Sequence, residues 1–313
     1  MTGVFFLLVV LLTGCATQTR ALLQKPDAKL PRDVELVSTP FFPQEQYQCG
    51  PAALAMSLNA AGIATTPEAL EPQVYVPQRE GSLQVEMLAA GRRNGALSMT
   101  IPPTMQALLT EVAAGTPVLV LQNLSLPWIP RWHYAVAVGY DLDQEEIILR
   151  SGTTKRLALP LSTFEHTWGR SGDWGMVTVP AGLLPATAEE VPAVYALVAF
   201  EKASDAVRAR KAYEGALQRW PHNIALQLGL GNTAYASGDR VAAAAAFRRA
   251  TEAHPDSAPA FNNLASVLAE LGDFDSARRA AEKAISLDGP WRQAALATLA
   301  AINAAQKNGS AKN

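Results

Sequence analysis

The hydrophobic pattern of the chain changes character three times. It opens on an apolar run from Val4 to Leu12 and then turns polar and proline-containing to about residue 38. Such a run is too short to cross a bilayer as a mature helix and predicts the apolar region of a signal peptide. From "PFFPQEQYQCGPAAL" onward, helical and alternating patterns mix. Pro51 suits the first turn of a helix and Gly62 its end, which predicts a helix over 50–61 with Cys49 at its N-terminal edge. Thr66 before Pro67, Ser82 before a run that stops at Gly95, and "PPTMQALLTEVAAG" ending at Gly115 predict further helices. Alternating runs follow: "TPVLVLQNL" from 116, "HYAVAVGYD" from 133, "EEIILRSG" from 145, "RLALPL" from 156 and "GMVTVP" from 175. They predict strands, with "YDLDQE" as a hairpin connection. Helices first and antiparallel strands second predict an α+β domain.

Beyond "AGLLPATAEEVP" the strand signals stop, and an alanine-rich helical pattern repeats every 34 residues. Ala209, Ala243 and Ala277 align, as do Ala216, Ala250 and Ala284, and Tyr213 with Phe247. Pro221 and Pro255 close units, "SGD" at 237 and "LGD" at 271 separate paired helices, and Leu197 replaces the small residue seen at Gly231 and Ala265. The spacing and the small positions resemble the tetratricopeptide repeat, in which small residues let paired helices pack closely. Residues 291–306 read as the helix that covers the end of the stack. The division predicted is a signal peptide at 1–14, a tether at 15–38, an α+β domain at 39–181, a linker at 182–192 and an all-α repeat solenoid at 193–313.

A hydrophobic fraction of 49% and a charged fraction of 17% describe an ordinary globular chain of about two domains. The net charge of −2 gives no general electrostatic reason to bind nucleic acid. No "GxxxxGK[ST]", "HExxH" or paired "CxxC" occurs, so neither nucleotide, metal nor other cofactor is expected.

Candidate chemistry narrows to the two cysteines. "LTGC" resembles the lipobox of bacterial lipoproteins, which implies that Cys15 is acylated and becomes the mature N-terminus, although no Lys or Arg precedes the apolar run. By the same resemblance, Ala16 after it fits sorting to the periplasmic face of the outer membrane. Cys49 then has no disulfide partner in an oxidising compartment, so its thiol is either a liability or used. A helix N-terminus favours the thiolate, Gly50 leaves room for a substrate carbonyl, and N–H groups at the helix start can hold an oxyanion. Of four histidines, His222 and His254 fall at repeat boundaries and His166 in a predicted short helix. His133 opens a strand-like run in the same domain as Cys49 and is the candidate base.

"QEQYQCGPAAL" followed by "HYAVAVGYD" resembles the C39 family of papain-like cysteine peptidases; with the lipobox and the repeats, the chain is similar to the bacterial C39-like lipoproteins. The resemblance implies a papain-like fold over about 40–180, Cys49 as nucleophile and His133 as general base and later acid. It also implies an upstream glutamine at the oxyanion: Gln44, with Gln46 and Gln48 as rivals. Family members place an Asp at the end of the following strand to orient the imidazole. Here Arg150 and Ser151 stand in that region, making Ser151 the candidate orienting residue, while Asp141 and Asp143 read as turn residues. Trp128 and Trp132 either line a substrate groove or pack at the strand entrance. The expectation is a lipid-anchored cysteine peptidase that cleaves a peptide bond through a Cys49 thioester, with repeats recruiting a peptide or protein partner. The alternatives are a weak or inactive peptide-binding scaffold, and an acyltransferase or amidase on the same fold.

Overall fold

The computed structural model describes residues 16–25, 27–43 and 49–310. The predicted signal peptide, Cys15 and the three candidate glutamines lie outside the described residues. Helix α1 (Thr17–Gln24) and strand β1 (Asp33–Glu35) come first, followed by α2 (Cys49–Ala60) and α3 (Pro67–Val74). Thr66 caps α3 by accepting from Ala69 N–H, as its position before Pro67 predicts. A small hairpin, β2 (Tyr75–Val76) and β3 (Gly81–Ser82), leads into α4 (Gln84–Arg93), β4 (Ala96–Thr100) and α5 (Met105–Ala113). Then come β5 (Val118–Asn123), β6 (Trp132–Asp141), β7 (Glu146–Ser151), β8 (Thr154–Pro160), α6 (Leu161–Gly169) and β9 (Gly175–Pro180). The sheet order is β4-β9-β5-β6-β7-β8, with β1 added beside β6; its pairings are antiparallel.

Alternation along β6 assigns the two faces. Tyr134, Val136 and Val138 pack with α2, whereas Ala135 and Ala137 join the core that α5 and α6 cover. Because α2 is buried along most of its length, alanine dominates it: small side chains let its backbone lie close to the sheet. Residues 132–135 of β6 extend past the end of β7, whose register with β6 ends at Val136 opposite Arg150. That overhang is where the site forms.

Three expectations change. Ser82 does not cap a helix: it lies in β3, and Leu83 precedes α4 without a side-chain cap. A strand, β4, interrupts the helical half; its residues are buried except Thr100, so it carries no alternation to read. Residues 16–38 are not a free tether. The buried Glu165 carboxylate accepts from the N–H groups of Gln18 and Thr19, Gln18 Oε1 accepts from Met105 N–H, and Leu22 enters the core. A carboxylate at the start of α1 satisfies orphan donors and complements the helix dipole. Glu165→Ala is expected to undock α1, raising hydrogen exchange in residues 17–24 by about tenfold or more while β5–β7 stay protected.

The C-terminal half is a stack of paired helices: α7 (Glu190–Ala203) with α8 (Ala206–Arg219), α9 (Ile224–Ala236) with α10 (Arg240–Ala253), α11 (Ala258–Glu270) with α12 (Phe274–Ser286), closed by α13 (Arg292–Ser310). Gly238 and Gly272 adopt φ of +85° and +82°, after which Asp239 and Asp273 cap α10 and α12. This explains the recurring Gly-Asp: a left-handed stop, then a cap worth about 0.5–2 kcal/mol. The aligned Ala209, Ala243 and Ala277 are buried, and a Cβ on Gly231 would lie 2.3 Å from the Phe247 ring. The first unit departs from the pattern because Leu197 packs into the core shared with the sheet. That core runs without a break from the sheet through Ala188, Ala193 and Phe200 to Tyr213 and Leu226. The 182–192 segment is likewise fixed, since buried Glu111 accepts from the N–H groups of Ala186 and Thr187 and from Thr187 Oγ1.

Candidate active site

The start of α2 delivers Cys49 to the overhanging edge of β6. The backbone N–H groups of Tyr134, the residue after His133, and of Gly50 and Cys49 favour the charged form of its sulfur. Tyr134 directly follows His133 in β6, so the fold brings the strand that carries the histidine to the sulfur. His133 shares a strand face with Ala135, and Ser151 reaches it diagonally from the end of β7: Nε2 and Oγ are 2.8 Å apart.

The electrostatics differ from the expectation of a thiolate. Burial pushes the Cys49 thiol above its ordinary range, and the three N–H groups pull it down without overcoming that. His133 is held below its ordinary value, first by burial and then by the Arg131 charge. Both shifts favour the uncharged pair. The helix start is real, but removing the sulfur from water outweighs it. Neither influence on the His133 ring comes from a carboxylate. Asp141 serves the turn, accepting from the N–H groups of Asp143 and Gln144, and Asp143 pairs with Arg32.

A cavity of about 440 Å³ opens beside the sulfur, lined by Cys49, Ser82, Leu83, Leu121, Trp132 and Tyr134 among others. Trp174 meets Tyr134 edge to face, with centroids 5.9 Å apart, and the Tyr134 hydroxyl donates to the Ser82 carbonyl. The hairpin β2–β3 is thereby held as one lip of the cavity. Ser82 Oγ is buried with no partner among the described residues, and Gly50 makes room for it. The two candidate groove tryptophans separate: Trp132 lines the cavity, whereas Trp128 stands outside it on the β5–β6 loop. Gln44 lies outside the described residues. Sequence reasoning missed Tyr134 and Ser82 as site residues. The tyrosine was legible as the neighbour of His133, but the lip came from a hairpin too short to show alternation.

Residues 36–176 match the model of the Peptidase_C39 like family, and residues 201–268 and 258–289 match two tetratricopeptide repeat models. Among solved structures the chain is similar to a putative C39-like peptidase from Bacillus anthracis, with 19% identity, 48% of this chain and 98% of that one covered, and a TM-score of 0.41. It is also similar to the peptidase domain of Streptococcus ComA, a bifunctional ABC transporter involved in a quorum-sensing pathway, with 16% identity, coverage of 45% and 98%, and a TM-score of 0.38. A third similarity is to MamA MSR-1 C2, with 22% identity, coverage of 40% and 82%, and a TM-score of 0.30. No curated protein matches the chain. The protein thus joins a C39-like peptidase domain to tetratricopeptide repeats.

Proposed function

We propose that this protein is a cysteine peptidase anchored to a bacterial membrane through Cys15, on the periplasmic face of the outer membrane, with its repeats recruiting a peptide or protein partner. The observation that carries the catalytic reading is the placement of Cys49 at Tyr134, the neighbour of His133 on the edge of β6, with Ser151 Oγ 2.8 Å from the ring's Nε2. With Nε2 engaged, Nδ1 is left for the thiol. As Cys49 Sγ attacks the scissile carbonyl carbon, its proton passes to Nδ1 and the carbonyl oxygen becomes an oxyanion beside the N–H groups of Cys49 and Gly50. Collapse breaks the C–N bond, and His133 gives the proton to the leaving amine. Water then attacks the thioester with His133 again as base, releasing the acid and restoring the thiol. In this reading Gln44 supplies a further donor to the oxyanion.

Ser151 imposes a limit. A carboxylate only accepts, so it would fix the proton on Nε2 and leave Nδ1 as the base; a hydroxyl both donates and accepts and fixes neither tautomer. The test is the pH dependence of Cys49 acylation by an activated ester. Protonated His133 cannot take a proton, so the rate falls as pH drops through the His133 pKa; because that value is depressed, activity is expected to persist below the free value of about 6.5. Ser151→Asp should move this acid limb upward and raise the plateau by about tenfold. An acid limb at or above the free value, unmoved by the carboxylate, would sink the assignment. The neutral pair and the missing carboxylate favour, as a second reading, a peptide-binding scaffold; acylation no faster than that of a free thiol at any pH would support it.

A further inference from the structure

The β5–β6 loop places an apolar tip where a soluble surface would place polar residues. In "LSLPWIPRW" from 124, Leu124, Leu126, Trp128, Ile129 and Trp132 are exposed, with Trp128 at 73%, Ile129 at 64% and Trp132 at 52%. The loop is nevertheless built. Buried Asn123 Oδ1 accepts from the N–H groups of Ser125 and Arg131, Leu124 N–H donates to Arg131 O, and Arg170 Nη1 donates to the carbonyls of Asn123 and Ser125. Pro127 and Pro130 stiffen it further. Fixing a loop while turning its aromatic residues outward is the arrangement of a preformed contact surface.

What covers this tip is indicated by its neighbours. Arg170, which holds the loop, lines the same shallow depression as Thr17 and Gln18, the first turn of α1. The described fold begins there at Ala16, directly after the cysteine that the proposed function acylates, and Glu165 fixes the first turn of α1. The exposed cations Arg20, Arg131 and Arg170 flank the two features. Tryptophan beside arginine next to a lipid anchor is the composition of a membrane interface.

We propose that the 124–132 loop inserts into the headgroup region of a lipid bilayer, as a second contact that rests on the proposed anchor at Cys15. The mouth of the Cys49 cavity, which Trp132 also lines, then opens at the membrane surface, and the segment it receives is one presented there. The inference stands independently of what Cys49 does.

The test uses the full chain on vesicles of phosphatidylethanolamine and phosphatidylglycerol, with or without brominated acyl chains. All variants keep the same N-terminus, and co-flotation with the vesicles scores the anchor separately, so tryptophan quenching in the bound fraction reports the loop. Strong bromine quenching is expected in the natural chain. It should fall by more than half in Trp128→Phe/Trp132→Phe, which identifies the quenched indoles, and equally in Ile129→Asp, which withdraws the tip; unchanged circular dichroism controls for folding. Equal fluorescence on brominated and plain vesicles, or quenching that survives in both variants, would overturn the proposal. An unquenched loop whose Ile129→Asp variant instead raises KM for a soluble peptide would also overturn it and mark the tip as a peptide-binding surface.

Discussion

Replacing His133 with alanine is expected to slow acylation of Cys49 by roughly 10²–10⁴-fold near neutral pH. The size follows from the state of the thiol. Burial holds Cys49 above the ordinary thiol range, so almost no thiolate stands ready, and attack depends on a base that removes the proton as the bond forms. The variant should recover part of its rate at high pH, where hydroxide ionises the thiol directly, whereas Cys49→Ala should stay silent throughout. The burst of p-nitrophenol from an activated ester measures both. A His133→Ala loss of less than about threefold would mean that the thiolate forms unaided and that the ring does not serve as base.

Gly50→Ala is expected to damage both the fold and the site. A Cβ at this position would lie 2.2 Å from Ser82 Oγ and 2.6 Å from Ser82 Cβ. Ser82 cannot easily yield, because β3 pairs it with Tyr75 and the Tyr134 hydroxyl holds its carbonyl. The start of α2 must move instead, at a cost of about 1–3 kcal/mol, and displacing the sulfur by about 1 Å costs on the order of 10²-fold in rate. Chemical denaturation and the ester burst should register the two losses together. Gly50→Ala/Ser82→Gly should recover most of both, since the second change removes the atoms in the way. A stable, active single variant, or a double variant no better than the single, would show that the glycine serves some other purpose.

Much of this architecture was legible where short-range chemistry decides the outcome. Pro51 and Gly62 bracket α2, Thr66 caps α3, and the Gly-Asp pairs announce the repeat turns because each acts within four residues of itself. Strand β4 was not legible, since it is buried on both faces and its pattern carries no period. Nor was the docking of α1: Glu165 meets Gln18 and Thr19 across nearly the whole domain, and nothing near either end announces the other. At the site, the helix start and the histidine strand were readable, but the charge state was not. Helix-dipole reasoning sees only the chain around Cys49, whereas the raised thiol reflects its burial against the cluster that α2 shares with the sheet. The role of Ser151 was readable as a position and became a geometry only when β7 brought it to the ring.

The unbroken core between the sheet and the first repeats decides how the molecule can be taken apart. Because Leu97, Met99 and Val177 share one apolar cluster with Ala193, Phe200 and Tyr213, α7 is as much the sheet's outer wall as the solenoid's first helix. A chain cut near residue 181 would strip that wall and leave a sticky half, so the seam for dissection lies farther on, where a separate cluster running from Ala234 in α9 to Ile302 in α13 begins. Heating should accordingly melt the sheet and the first two repeat helices as one cooperative unit, while the distal repeats fray inward from α13. Those distal helices are the exchangeable part of the protein: a partner surface could be traded there without the C39-like half losing its support.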